Sequence, residues 1–388
     1  MRDTFLPLAV PSIGEEEIAS VVENLRSGWL TTGPKTAKFE QLFAEYIGVK
    51  HAVALNSCSA ALHLSALAIG VGQGDEVITT PITWPATSNM IVHTGAKPVF
   101  VDVRADTLNI DASLIESAIT PRTKAIIPVH MAGQVCDMNE IRDIGKRNNI
   151  PIIEDAAHAL GASYDQQEVG STGEHTCFSF YATKNMTTGE GGMFTTNDEA
   201  VAKRVRLLSQ HGVSRDAWSR ESNQGLHWQL LEPGFKCNMS DVLSSIGIHQ
   251  IDRLPAFIEK RRELASQYDN AISSIAGVTQ LDRKPGRESA FHLYIVRINA
   301  DVSGVTRDEM IVGLRERNIG SGVHFISTHL QPYYRDHLGV QPESLPVAAK
   351  MSDEILSLPL CPSMSVQDIQ DVSEAIKEVI QSKKEVSV

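Results

Sequence analysis

Lys184 and Asp155 are the residues of this chain best placed to do chemistry. Lys184 stands three residues beyond the apolar run Thr176-Cys-Phe-Ser-Phe-Tyr181 and just before Gly189-Glu-Gly-Gly192. Twenty-nine residues upstream, Asp155 closes the run Pro151-Ile-Ile-Glu-Asp155. Each therefore sits at the end of a predicted buried strand. A lysine amine condenses with an aldehyde, and a carboxylate beside a ring nitrogen keeps that nitrogen protonated so that the ring accepts electrons. Pyridoxal phosphate (PLP) is a cofactor that needs both. Taken singly, Asp155 reads equally well as a helix cap and Lys184 as a solvated loop lysine.

Other candidates cluster around the same predicted strand ends. Leu55-Asn-Ser-Cys-Ser-Ala-Ala-Leu-His-Leu64 reads as strand, turn and helix. Exposed backbone N–H groups and the helix dipole would suit an anion at that start, and the plainer alternative is that Ser57 or Ser59 only caps the helix. Trp84, in Thr83-Trp-Pro-Ala-Thr87, offers an aromatic face for a planar ligand or else fills the core. His158 lies one turn beyond Asp155 and could reach the carboxylate or the ring. Ser179, on the strand leading to Lys184, could reach a phosphate. Gly70, Gly72 and Gly74 imitate a dinucleotide fingerprint, but they follow a helix where the fingerprint must open one, so they read as turn residues.

The elements that must position these groups follow an alternating pattern. Phe39, Leu42, Phe43, Tyr46 and Ile47 recur at helical spacing before Gly48, as do Ile18, Val21, Val22 and Leu25 before Gly28. Short apolar runs at 52–55, 76–79, 98–101, 125–129 and 151–153 are mostly separated by helix-length segments such as 138–146. That alternation predicts a doubly wound, mostly parallel sheet with right-handed crossovers, whose carboxyl strand ends are where ligands bind. After residue 250 the texture changes. A helical segment from Ser240 meets Pro255, which is expected to kink or break it; a strand at 292–298 and helices near 307–317 and after Ser365 complete a smaller α+β region. The expected division is a large domain over 14–250 and a small one over 251–388, with 1–13 packed on the latter.

Composition excludes several classes. A formal net charge of −12 argues against nucleic acid or an anionic membrane as the main partner, since both demand clustered cations. No apolar stretch approaches the ~20 residues that span a bilayer. The five cysteines, at 58, 136, 177, 237 and 361, are odd in number and form no C-x-x-C pair, which suits reduced thiols, no metal site and a cytoplasmic protein. His324 and His329 lack helical metal spacing and are given no metal role.

Several of these motifs, in this order, resemble the DegT/DnrJ/EryC1/StrS family of sugar aminotransferases over essentially the whole chain. The matching stretches are Gly28-Trp-Leu-Thr-Thr-Gly-Pro34, Asn56-Ser-Cys-Ser-Ala-Ala-Leu-His-Leu64, Gly74-Asp-Glu-Val-Ile78, Glu154-Asp-Ala-Ala-His158, Phe178-Ser-Phe180, Lys184 with Gly189-Glu-Gly-Gly192, and Gly322-Val-His-Phe325. The resemblance implies the PLP fold type I (aspartate aminotransferase-like), with PLP and its amine form, pyridoxamine phosphate (PMP), as cofactor. It implies that Lys184 carries the cofactor and shuttles the proton, that Asp155 pairs with the ring nitrogen, and that Trp84 stacks on the ring. Cys58, Ser59 and Ser179 would hold the phosphate, partly through backbone N–H groups, and His158 would line the cofactor.

It also implies a homodimer in which a segment is lent to the partner's site, here Gly234-Phe-Lys-Cys-Asn-Met239. Many members carry Gly-Tyr-Asn-Tyr-Arg instead, so either Lys236 or Asn238 takes the phosphate contact. This Lys-x-Asn version, with Val213-Ser-Arg-Asp-Ala-Trp218, is most similar to members that aminate C4 of a nucleotide-linked 4-keto sugar with glutamate as donor. His324, His329 and the 213–230 loop are the candidates for sugar contact. Two other readings share the scaffold. A PMP-dependent sugar dehydratase would replace the lysine with histidine, and a PLP-binding regulator would carry a basic DNA-binding module; neither feature is seen in this sequence.

Overall fold

Buried runs alternating with amphipathic segments fold as that pattern dictates. The computed structural model describes residues 2–214 and 227–386. Its first part runs α1 (Glu15–Ser27), α2 (Pro34–Ile47), β1 (His51–Leu55), α3 (Cys58–Ala68), β2 (Glu76–Thr79), α4 (Ala86–His93), β3 (Lys97–Phe100), α5 (Ala112–Ile115), β4 (Thr123–Ile127), α6 (Met138–Asn148) and β5 (Ile153–Asp155). A small ribbon, β6 (Ser163–Tyr164) and β7 (Gln167–Glu168), precedes β8 (His175–Ser179), β9 (Gly192–Thr196) and α7 (Glu199–Ser209). The long α8 (Asp241–Ile272) leads to β10 (Val278–Gln280), β11 (Arg287–Glu288), β12 (Tyr294–Ile298), α9 (Ala300–Ser303) and α10 (Arg307–Glu316). The chain closes with α11 (Pro332–Leu338), α12 (Pro346–Glu354), β13 (Ile355–Leu358) and α13 (Val366–Val386).

Strands β1-β9-β8-β5 pair in that order, and β3-β2-β4 in theirs. Parallel bridges at Ile126–Ile152 and Val129–Asp155 join β4 to β5, so one sheet runs β1-β9-β8-β5-β4-β2-β3. Strand β9 runs against both neighbours, and the remaining pairs are parallel. Side chains alternate between two cores. Ala52, Ala54 and Phe178 face the layer of α2, α6 and the first half of α8, whereas Val53, Leu55 and Cys177 face α3 and α7. Cover on both faces is why these strands read as unbroken apolar runs. It also leaves the sheet's carboxyl edge, where β1, β2, β5 and β8 end together, as the open side.

A further core joins Leu264, Ala265, Tyr268 and Ile272 of α8 to β12, β13, α10, α13 and Leu6. The expected break at Pro255 does not occur, since α8 continues through it. Leu254, Phe257, Ile258, Arg261 and Leu264 are buried along its length, and that packing offsets the one backbone bond the proline removes. Helix α1 forms where the spacing places it, with Gly28 at φ 78 closing it, yet its apolar residues turn outward. Glu17, Ser20 and Asn24 are buried instead. The Glu17 carboxylate docks the helix by accepting from Gln250 (2.7 Å), from Arg253 (2.7 Å) and from the Gly14 N–H (2.8 Å).

Candidate active site

Asp155 ends β5 and faces the open edge, while its neighbour Glu154 points to the other face and meets His130 Nε2 at 2.8 Å. The Asp155 carboxylate accepts from the Thr87 hydroxyl (2.7 Å, Oδ2), in the first turn of α4, and from the Ala157 N–H (3.1 Å, Oδ1). Thr83 extends this chain, its hydroxyl 2.8 Å from that of Thr87. Burial pushes the Asp155 carboxyl up, opposed by these hydrogen bonds and by the Lys184 charge. An ionised carboxylate there is costly unless a cation comes to meet it.

Lys184 follows β8 in a turn closed by its own N–H on the Tyr181 carbonyl (2.9 Å). Burial lowers its amine to about 8, with Cys58 and Asp155 pulling the other way. The amine and the carboxylate, far apart in the chain, thus act on one another at adjacent strand ends. Nζ lies 3.5 Å from His292 Nε2. His158 lies tilted against His292, ring centroids 4.4 Å apart, and burial pushes both imidazoles well below the ordinary histidine range. The buried Nδ1 atoms of His158 and His292 have no hydrogen-bond partner among the described residues. Such orphans in a native fold call for an explanation.

Trp84 is 63% exposed, which excludes a core role. Phe325 bridges it to His158, at 5.8 Å from the indole and 5.9 Å from the imidazole, so a wall of rings lines the edge. The segment carrying Phe325 is tied to the Trp84 loop by the Thr328 N–H on the Pro81 carbonyl (2.7 Å).

Helix α3 begins at the same edge, and the plainer reading of Ser57 holds, because its hydroxyl accepts from the Ala60 N–H (3.1 Å). The Cys58 side chain lies in the core, where burial pushes its thiol up, so only its backbone can face a ligand. Ser59 is half-buried beside it. Gly192, opening β9, packs against this helix start; a Cβ there would fall 2.4 Å from the Cys58 nitrogen. Ser179 is buried at the end of β8, its hydroxyl 3.4 Å from the Tyr181 N–H.

The segment 236–239 runs along the end of β1, with Asn238 bridged to Leu55. The exposed Lys236 amine donates to Asn238 Oδ1 (2.6 Å), and Asn238 Nδ2 donates to the Thr32 hydroxyl (2.5 Å). His324 contacts Ser357 Oγ through Nδ1 (2.9 Å), and burial, with Lys184 adding to it, lowers its pKa to about 4. His329 departs from expectation. It is buried, with Nδ1 on Ser327 Oγ (2.6 Å) and Nε2 on the Pro342 carbonyl (3.2 Å), which leaves no nitrogen for a sugar. Residues 215–226, most of the 213–230 loop and part of the 213–218 motif, lie outside the described residues. Gly70 and Gly74 are turn residues at positive φ.

Thr87, His292 and Phe325 were not singled out from sequence. His292 opened a predicted strand and Phe325 closed a quoted motif, but only contact distances reveal their place. An amine, a carboxylate, an exposed indole and a helix N-terminus on one edge fit a planar pyridine aldehyde bearing a phosphate.

The DegT/DnrJ/EryC1/StrS aminotransferase family matches residues 11–377. The chain is 48% identical over 382 residues to the spore coat polysaccharide biosynthesis protein SpsC of Bacillus subtilis (strain 168), covering 98% of each. It is 46% identical over 391 residues to the UDP-4-amino-4-deoxy-L-arabinose–oxoglutarate aminotransferase of Shewanella sediminis (strain HAW-EB3), covering 99% of this chain and 100% of that one. Among solved structures it is similar to the PLP form of Spr1654 from Streptococcus pneumoniae, with a TM-score of 0.90 and 35% identity over 98% of this chain and 99% of the other. Helicobacter pylori PseC, an aminotransferase involved in the biosynthesis of pseudoaminic acid, matches with a TM-score of 0.91 and 28% identity over 98% and 100%.

Proposed function

Because the chain belongs to the DegT/DnrJ/EryC1/StrS aminotransferase family, we propose that its amino acceptor is a nucleotide-linked keto sugar, aminated at C4, with glutamate as donor. The chain is a PLP-dependent sugar aminotransferase. The observation that carries the transaminase chemistry is the placing of the Lys184 amine and the Asp155 carboxylate, which feel one another's charge, at adjacent strand ends beside the exposed Trp84 face. The arabinose-type relative, named for a 4-amino sugar and for oxoglutarate, supports the choice of position and donor.

Bound PLP supplies an aldehyde and an electron-accepting ring. The roles of this chain's residues follow. Lys184 would hold the cofactor and, once its amine is free, would carry a proton at Nζ between the bound substrate's carbon and the cofactor's carbon in each half-reaction. Asp155, with Thr87 favouring its charged form, would pair with the ring nitrogen. Trp84 and His158 confine the ring. The Cys58 and Ser59 N–H groups and the Ser179 hydroxyl take the phosphate, with Lys236 or Asn238 contributed to the partner's site. His324 faces the sugar.

A second copy of this chain covers the outward stripe Ile18, Val22 and Leu25 on α1, which is 48, 37 and 53% exposed. Contiguous exposed apolar surface of this kind suits an interface. All five cysteines are free thiols, and we place the protein in the cytoplasm.

The test is a panel of UDP-, dTDP- and GDP-linked keto sugars incubated with enzyme and glutamate. Stoichiometric 2-oxoglutarate with a 4-keto substrate is expected, and Lys184→Ala should abolish both that product and the visible absorbance of bound PLP. Turnover of a 3-keto sugar alone would refute the C4 assignment. No 2-oxoglutarate with any acceptor would refute the keto-sugar reading.

A further inference from the structure

Lys184 has one hydrogen-bond contact for its amine among the described residues, His292 Nε2 at 3.5 Å. The backbone that presents His292 is held by an unusual group. Arg261, 2% exposed on α8, has no carboxylate partner among the described residues. Its Nη1 donates instead to the carbonyls of Phe291 (3.2 Å), His292 (3.3 Å) and Leu360 (3.0 Å). Phe291, between these bonds and the site, takes a left-handed φ of 43, which a phenylalanine adopts only under constraint. A buried cation without a counterion and a strained residue are both costly, and both converge on the placement of one imidazole.

We propose that His292 is a positioning residue for Lys184, accepting a hydrogen bond from Nζ at Nε2 whenever the lysine is not bonded to cofactor, with Arg261 fixing the backbone that carries the imidazole. This rests on the transaminase reading, in which the lysine must be released in each half-reaction and kept within reach. A long, free side chain would otherwise sample many rotamers. An acceptor at a fixed point keeps Nζ at the carbon it must next deprotonate. His292 suits the task because it stays neutral. Burial, and then the charge on Lys184, hold its imidazole unprotonated, so it receives the hydrogen bond without competing for the proton. The other titratable groups bearing on Nζ are Asp155 and Cys58, and His158 and His324 feel its charge in turn.

The sign of the effect separates this role from its alternatives. An acceptor stabilises the ammonium form, so removing it lowers the lysine pKa further. A donor to the neutral amine would do the opposite, and a purely structural histidine would leave the value unchanged. The measurement is the pH dependence of Lys184 modification by an amine-selective reagent in the cofactor-free protein, with peptide mapping to follow that one lysine. His292→Phe, of similar bulk, should move the midpoint down by about one to two pH units, the size that a hydrogen bond to a charged group sets. His292→Gln, which retains an acceptor, should restore it. In the loaded enzyme, His292→Phe should slow the glutamate half-reaction about tenfold while PLP uptake persists. A midpoint that is unmoved or raised in His292→Phe, with the melting temperature retained, would overturn the proposal. Because the labelling uses no sugar or glutamate, failure of the keto-sugar reading would show separately in the acceptor panel.

Discussion

The Asp155 carboxyl is pulled two ways by local causes, and burial prevails. Thr87 and the Ala157 N–H supply hydrogen bonds that favour the charged form, while burial favours the neutral one. Replacing Thr87 with Val removes one donor and raises the Asp155 pKa. The acid limb of the kcat profile is therefore expected to move to higher pH by about one to two units, the size of a hydrogen bond to a charge. Thr87→Ser should restore it. Asp155→Asn, which cannot pair with a ring cation, is expected to cost about 10²–10³-fold in kcat. A pH–rate profile of Thr87→Val that overlays the wild type would refute this account. His329 teaches the complementary lesson, since a histidine close in sequence to His324 is sealed in hydrogen bonds and plays no part at the edge.

Strands β5 and β8 carry the site on one face and a second polar cluster on the other. His130 Nδ1 accepts from the Cys136 N–H (3.2 Å), so its proton lies on Nε2 and is donated to Glu154. Arg142 reaches Glu154 (3.5 Å) and Glu174 (2.8 Å). Burial, and then the neighbouring Glu154 charge, push the Glu174 carboxyl up to about 7. The folded chain thus binds a proton that an unfolded glutamate, titrating near ~4.3, has lost. Its contribution to stability is present below that lower value and disappears as pH rises through about 7. Thermal melts should show the wild type losing stability relative to Glu174→Gln between pH 5 and 8. A constant difference across that window would contradict the assignment. Strand β9 was not among the strands read from the sequence, and period and composition do not encode its direction; the short return from β8 through 180–191 makes it antiparallel.

The whole molecule places two cores along one helix. The first half of α8 packs on the large sheet and its second half on the cluster around β12 and β13. We propose that the division expected at 250/251 is bridged by this helix, with Pro255 within it and no loop between the parts. The proposed interface between copies of this chain rests on the outward stripe of α1. Leu25→Glu should convert a dimer to monomer in sedimentation velocity without lowering the monomer's helicity, since the side chain is 53% exposed. A wild-type chain that sediments as a monomer at micromolar concentration would refute the interface and, with it, the lending of Lys236 or Asn238.

Residue order and hydrophobic period were enough to locate β1 to β5, β8, β12 and the open edge, though not β9 or β13, because burial on two faces writes itself into apolar runs. They also placed Lys184, Asp155, Trp84 and Ser179 at that edge. They could not show that Thr87 reaches Asp155 across 68 positions, that His292 sits by the lysine 108 positions before it, or that α1 docks through a glutamate. Hydrogen bonds between distant side chains leave no periodic trace, and they exist only once the folded chain has brought their partners within about 3 Å.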